Sequence, residues 1–369
     1  MSAPTATTSP SAVLGSGGWY ADGSGSIGIT TDSSRMRRTL PVGCSFVKAL
    51  ICDNYNGIDA LRVGEFPDPE PTSGTVLISV EAASVNFADT LIVQGQYQVR
   101  PETPFVPGTE LAGVVERADD VEDLSKGDRV TAYLGYGAIA ERVVAFPVSI
   151  LKLPDSVSFE EGATIPVAFG TSYHALVDRA QIDPGEMLLV LGAAGGVGLA
   201  AVQIGKALGA TVIGAVSTEE KASAVLDAGA DHVIRYDQTP LREGIATATD
   251  GAGVDVVYDP VGGEMTELAL RSTKWNGCLL VVGFASGDIP SIPLNLSLVK
   301  GNSIVGVFWG RFTIEEPDQS RENNHQIMEW IAEGKLTPVV QKRYSLDEAV
   351  DALHWVANRS AIGRVIITP

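Results

Sequence analysis

The sequence predicts an α/β protein: a compact, mostly antiparallel β domain followed by a doubly wound parallel sheet. Two rhythms and one loop predict it. From Val47 to about Pro166, short β-runs alternate with Gly/Pro turns. Beyond that, strands alternate with helices across short loops, the pattern of a parallel sheet. The glycine-rich loop "LGAAGGVGLA" (Leu191–Ala200) joins an apolar strand to an amphipathic helix at the head of this second half. A chain of 369 residues is ample for two such domains.

Residues 1 to 45 are rich in Ser, Thr, Gly and Pro, with almost no apolar periodicity, and are expected to be disordered. They contain "GSGSIG" (residues 23–28), which fits the dinucleotide fingerprint G-x-G-x-x-G. No strand precedes it and no amphipathic helix follows, so it is a chance match. The extension is loosely like an organelle transit peptide, yet its arginines (Arg35, Arg37, Arg38) cluster at one end and glycine is abundant. The preferred reading takes Val47 as a GTG start inside an overlong reading frame, because the folded protein appears from "VKALICDNYNG" onward.

The first half then reads as strands at "VKALICD", "TVLISVEAASV", "LAGVVERA", "DRVTAYL" and "AIAERVVA", with "DLSKGDRV" as a turn. In the second half "EMLLVLG" is a strand, "VGLAAVQIGKALGA" a helix closed by Gly209, and "TVIGAV" a strand. "TEEKASAVLDAGA" is a helix ending at Gly229, and "DHVIRY", "VDVVYDP", "GCLLVVGF" and "NSIVGVFW" are strands. The tail from about residue 311 holds two helices and a last strand, "RVIIT", with a capping box at "SLDE" (Ser345–Glu348).

The bulk numbers exclude several functions. The net charge of −19 repels phosphate backbones and anionic lipid, which argues against nucleic-acid or membrane-surface partners. The most apolar stretch, "MLLVLGAAGGVGLAAV", is too short and glycine-broken for a membrane span. Three scattered cysteines (Cys44, Cys52, Cys278) argue for a reducing compartment, here the cytoplasm, and against a disulfide framework.

The loop at Leu191 carries the chemistry. Its core A-A-G-G-V-G has Ala193 in place of the first glycine, while Gly195 permits close backbone approach to a pyrophosphate and Gly198 permits close helix–strand packing. Ala194, Gly195, Gly196 and Val197 are the candidate pyrophosphate contacts. At the tip of the second strand, where NAD sites place a carboxylate, stand Ser217 and Thr218. With Lys221 one turn on and Tyr236 after the third strand, the expected cofactor is NADPH. Glu219 and Glu220 count against it unless the helix turns them away.

"VNFADTLIVQGQY", "PFVPGTELAGVV", "AAGGVG", "STEEK" and "GRVIITP" together resemble the medium-chain dehydrogenase/reductase superfamily. Within it the chain is most similar to the zinc-free NADPH:quinone oxidoreductases, the zeta-crystallin-like branch, over Val47–Pro369. The resemblance implies a GroES-like catalytic domain (46–168 and 311–369) and a Rossmann NADPH-binding domain (169–310), outside the extension of residues 1–45.

It also implies no metal. Zinc alcohol dehydrogenases of the superfamily carry Cys, His and Cys where this chain has Asn86, Thr109 and Val167, and only the acidic neighbours Asp89 and Glu110 remain. The same resemblance places Asn86, Tyr97, Thr171, Phe284, Phe308 and Arg364 near the nicotinamide, with Gly283 and Ala285 beside Phe284. Asn86 and Tyr97 are the catalytic candidates, although the tyrosine that several relatives carry is Leu91 here. For Phe308 and Trp309, core or interface packing is as good a reading as substrate contact.

The expected activity is reduction of a quinone or similar conjugated carbonyl. The alternatives are an enoyl-thioester or haloacrylate-type C=C reductase, and a non-catalytic NADPH-binding sensor or RNA-binding crystallin-like protein. The apolar strand expected at Asn302–Gly310 lacks Pro, Lys and Glu to blunt it, and relatives pair this strand across a two-fold axis. A homodimer through that edge is the expected assembly.

Overall fold

In a computed structural model of the chain, the described residues are 45–369 together with 19–21 and 27–29. The last two segments, β1 (Trp19–Ala21) and β2 (Ile27–Ile29), pair antiparallel. This pair departs from the expected lack of order in residues 1–45; the rest of that expectation lies outside the described residues. Gly28 of the "GSGSIG" match sits in β2 opposite Tyr20. A strand position is not the helix start the fingerprint requires.

In the first half β3 (Phe46–Ile51) pairs antiparallel with β4 (Arg62–Pro67), a strand the sequence reading missed. β5 (Val76–Val85) follows, with Val76, Ile78 and Val80 buried in alternation. It leads into α1 (Phe87–Ile92), where the Asp89 carboxylate accepts the Asn86 N–H at 2.7 Å and closes the first turn. β6 (Glu110–Ala118), β7 (Arg129–Tyr133), β8 (Arg142–Ala145) and β9 (Ile150–Lys152) complete this stretch.

A nearly continuous helical segment then crosses to the second half. It comprises α2 (Phe159–Gly162), a π-helical stretch Ile165–Phe169, α3 (Gly170–Tyr173) and a second π-helical stretch His174–Arg179. Widened turns of this kind release N–H groups from the regular ladder. One of them, at Val167, is used at the site described below.

The second half runs β10 (Met187–Leu191), α4 (Gly196–Ala207), β11 (Thr211–Val216), α5 (Glu219–Asp227), β12 (His232–Arg235), α6 (Leu241–Ala248), β13 (Val254–Asp259), α7 (Glu264–Arg271), β14 (Thr273–Val281), α8 (Asn295–Lys300) and β15 (Ser303–Gly306). All five strand pairs are parallel, in the order β12-β11-β10-β13-β14-β15. This is the doubly wound order, with the switch point beside β10. The expected edge strand at Asn302–Gly310 is corrected to β15 alone. Beyond Gly306 the chain turns, and Trp309 begins α9 (Trp309–Glu315) by inserting over Gly170, where an added Cβ would meet its ring at 2.8 Å.

The tail continues with α10 (Pro317–Ala332), β16 (Val340–Ser345), α11 (Ala349–Ala357) and β17 (Arg364–Thr368); with α9 that is one helix and one strand more than expected. The strands return to the first half, giving the order β16-β17-β5-β6-β7-β9 with β8 also on β5. That sheet is antiparallel except for its β16–β17 pair. A single apolar cluster spans both halves, from Ala82 and Ala112 through Ile165 and Phe169 to Val190 and Ile366.

Candidate active site

At the N-terminal end of β17 the Arg364 side chain, 6% exposed, reaches the fully buried Glu110 at the start of β6. Its Nη2 donates to Glu110 Oε1 and to Ser84 Oγ, and its Nη1 donates to Asn86 Oδ1 at 2.8 Å. Asn86 Nδ2 donates in turn to Glu110 Oε1 at 2.9 Å and to Thr109 Oγ1 at 3.0 Å. The Val167 N–H, freed by the π-helical stretch, donates to Glu110 Oε2 at 2.8 Å. Two buried atoms have no hydrogen-bond partner here, Arg364 Nε and Asp89 Oδ1.

Burial pushes the Asp89 carboxyl up to about 7; the Asn86 N–H opposes the rise and the Glu110 charge adds to it. Burial also pushes Glu110 up, against the pull of Arg364 and the amide donors. The same network decides the fit of a metal. The three positions where zinc relatives carry Cys, His and Cys offer an amide, a hydroxyl and an isopropyl group, and the amide is committed to Arg364, Glu110 and Thr109. No thiolate or imidazole faces this place, so these residues do not fit a catalytic zinc. Among the described residues no group of three His, Cys, Asp or Glu is arranged to hold a metal.

Arg364 also borders the glycine-rich loop. A Cβ on Gly196 would lie 2.8 Å from its Cδ and Nη1. Gly195 caps α4 and pairs with Gly363, whose N–H donates to Ala194 O at 2.8 Å. Gly198 has no room for a side chain, since a Cβ would meet Gly192 O at 2.3 Å. Gly192, with φ 57°, makes the sharp bend, which is why Ala193 is tolerated after it. The α4 N-terminus therefore starts at Gly196 beside Arg364, and the N–H groups of a helix start make an anion site. Val197 is the second residue of that helix.

Further along, Ser217 stands at the tip of β11 and Thr218 caps α5, accepting the Lys221 N–H at 3.3 Å. Lys221 Nζ donates to Arg359 O at 2.9 Å, and Arg359 Nη2 donates to Ser286 O at 2.8 Å. These two cations link three segments: α5, the loop after β14, and the turn before β17. Partial burial lowers the Lys221 pKa. Tyr236 is 39% exposed at the end of β12.

On the opposite side Gly283, Phe284 and Ala285 form the loop after β14, held by Gly283 and Ala285 N–H groups donating to Asp259 O and Pro260 O. Phe284 is 38% exposed and packs close to Gly262. Phe308 is 42% exposed at the start of α9. Trp309 is a core residue, edge-to-face on Tyr133 with ring centroids 4.8 Å apart. Thr171 is half-buried in α3, and Tyr97 is half-buried beyond α1. Burial and then the Asp89 charge push the Tyr97 phenol up.

The structure thus brings Asn86, Arg364 and the 194–196 backbone together, while Lys221 is tied separately to Arg359. Ser84 and Gly363 belong to the first group and Arg359 to the second, and none of the three was foreseen. Ser84 is one more small residue in a strand, and Arg359 follows a helix end, so neither carried a local signal. Gly363 carried one: a glycine immediately before a strand often marks a close approach of two backbones.

Residues 72–155 match the alcohol dehydrogenase GroES-like domain, and residues 196–333 match the zinc-binding dehydrogenase family. The chain is 38% identical over 342 residues to the quinone oxidoreductase-like protein 2 homolog of Nematostella vectensis, covering 91% of this chain and 93% of that one. It is 32% identical over 332 residues to the quinone oxidoreductase of Homo sapiens, covering 89% and 99%. The Escherichia coli quinone oxidoreductase complexed with NADPH superposes with a TM-score of 0.80 at 29% identity, over 87% of this chain and all of that one. The chain belongs to the quinone oxidoreductase family of the medium-chain dehydrogenases and reductases.

Proposed function

We propose that this protein is an NADPH-dependent, zinc-independent reductase of quinones or similar conjugated carbonyls. The observation that carries the reading is the Arg364–Glu110–Asn86 network, which occupies the place of a metal centre and abuts the phosphate loop. NADPH, when bound, supplies the hydride. The chain's own residues bind and orient: the N–H groups at Gly196 and beyond receive the pyrophosphate, and Lys221 answers the 2′-phosphate. Asn86, locked by Arg364, Thr109 and Glu110, presents a fixed amide edge, while Phe284 and Phe308 offer an apolar wall for a flat acceptor. No side chain is assigned as proton donor, and a reduced quinone can take its protons from water.

The free thiols of Cys52 and Cys278 suit a reducing compartment, the cytoplasm. No helix among the described residues is long and apolar enough to cross a membrane. β15 is the edge of its sheet, with Ile304 40% exposed, and Leu294, Leu298, Val299 and Trp275 stand exposed beside it. Such a surface supports a homodimer through that edge.

NADPH oxidation against a panel of quinones, enals and enoyl-CoAs, with metal content measured on the same sample, tests the reading. Turnover of quinones without stoichiometric zinc is expected. Turnover confined to enoyl-CoAs would favour the C=C reductase instead. NADPH binding with no turnover of any acceptor would favour a sensor. One tightly bound zinc per chain would overturn the mechanism.

A further inference from the structure

A cavity of about 1190 Å³ runs outward from the site along the first domain. Three of its lining residues tie its inner end to the buried network. Tyr133 is the register partner of Glu110 across the β6–β7 pair, and Pro166 precedes the Val167 N–H that Glu110 accepts. Trp309 packs edge-on against Tyr133. Gly310 joins this end to the aromatic wall, since a Cβ there would meet the Tyr133 hydroxyl at 3.0 Å and the Phe308 ring at 3.7 Å. From Tyr133 the cavity continues to Phe146 and Val148, between β8 and β9, and to Ile314 in α9. All three of these apolar side chains are exposed. Apolar groups gathered on an open wall mark a surface made for an apolar ligand.

Size and polarity decide what fits. A drug-sized ligand occupies a pocket of about 300–1,000 Å³, so a quinone ring with one or two small substituents fills only part of this space. The cations of the wall are already spent. Arg142 donates to Asp68 at 2.8 Å and lies 3.5 Å from Glu116, and Arg321 donates to Asp318 at 3.2 Å. The third charged residue, Glu102, is an exposed acid. The hydroxyls of Thr75, Ser149 and Thr313 donate to backbone carbonyls. Among the described residues of this wall, phosphates or carboxylates would therefore meet no unpaired cation. A hydrocarbon chain needs none.

We propose that the acceptor carries a long neutral hydrocarbon chain, alkyl or isoprenoid, with its ring against Tyr133 and Phe308 and its chain over Phe146, Val148 and Ile314. The inference rests on the reading of the site as a reductase of conjugated carbonyls and narrows its substrate. A coenzyme A thioester, which brings phosphates to the cavity, lies outside that class.

The test compares kcat/KM with NADPH for p-benzoquinones bearing methyl, butyl and decyl groups, each kept below its micelle-forming concentration, and for decenal and decenoyl-CoA. Calorimetry on the full chain measures the redox-inert methyl- and decylresorcinols beside it. Each buried methylene strengthens binding about three- to fourfold, so decyl is expected to exceed methyl by about a hundredfold or more in both assays. Val148→Asp and Ile314→Gln, both at exposed positions, should each cut that ratio about tenfold by putting a polar group in the path of the chain. NADPH binding, followed by fluorescence, should be unchanged and so reports an intact fold. A decyl-to-methyl ratio near one, or a ratio that both variants leave intact, would overturn the chain inference, while turnover of methylbenzoquinone would still uphold the quinone reading. Tight decylresorcinol binding without turnover of any acceptor would overturn that reading and uphold the ligand class of the cavity. Preference for decenoyl-CoA over decenal would overturn the neutral chain.

Discussion

Replacing Arg364 by Met should strand a charge. The guanidinium is 6% exposed and Glu110 fully buried, so the substitution leaves a carboxylate with no counter-ion and two amide donors, Val167 N and Asn86 Nδ2. Methionine keeps most of the chain volume beside Gly196, so the loss is electrostatic rather than a cavity. Removing one partner of a buried pair costs about 3–5 kcal/mol, a large share of a typical folding free energy. The double variant Arg364→Met with Glu110→Gln carries neither charge of this pair and should recover about 2 kcal/mol or more relative to the sum of the single changes.

The pH dependence follows from the same carboxyl. Burial already raises Glu110 above its ordinary range, and loss of the guanidinium raises it further. The folded variant therefore binds a proton that the unfolded chain has released, and its deficit shrinks as pH falls through the folded pKa. Urea unfolding of the four proteins at acid and alkaline pH measures both effects. Additive single changes, or an Arg364→Met deficit below about 1 kcal/mol at alkaline pH, would refute the reasoning.

Three further outcomes are expected. Asp89, pushed up to about 7 from an ordinary carboxylate value, contributes stability that is greatest at low pH and lost as pH climbs toward 7. Asp89→Asn keeps an acceptor for the Asn86 N–H and should flatten that slope, gaining at most about 4 kcal/mol above pH 7; thermal midpoints across the range would expose an unchanged slope. Gly363→Ala, at φ 68° with a Cβ 2.3 Å from Val339 O, should cost at least about 2 kcal/mol and loosen dinucleotide binding, and a neutral result in a melting and titration experiment would contradict the close approach. Val305→Pro in β15 should turn a dimer into monomer or aggregate in sedimentation, whereas a wild-type monomer at micromolar concentration would remove the dimer altogether.

Much of this was legible in order of how local the signal is. The strands β10 and β11 with their loop and helix announce themselves by apolar runs and glycines, and Gly198 does what its spacing promised. The short strands β4, β9 and β16 did not, because their residues are half-exposed and pair with partners far along the chain. β15 was read too long, since the apolar run through Val307, Phe308 and Trp309 looks like strand until the tryptophan's place over Gly170 is known. At the site, Asn86 and Lys221 carried motifs. Arg359 did not, as an arginine just after a helix end reads as an ordinary surface charge. Which backbone carbonyl it reaches is a tertiary fact.

The placement of β17 has a consequence for synthesis. It lies between the edge strand β16 and β5 in the first domain's sheet, yet 278 residues separate Asn86, just after β5, from Arg364. A ribosome that has made β5 through β9 has made a sheet in which β8 already covers the Val76–Ser79 end of this flank of β5, and only Ala83–Val85 is left unpaired. The parallel sheet, contiguous in sequence, can close on its own in the meantime. The first half must wait with that end of β5 unpaired until β17 emerges, a window in which an open strand edge is prone to wrong pairing. The residue that ends this wait is Arg364, so the step that seals the nascent sheet also sets the buried ion pair.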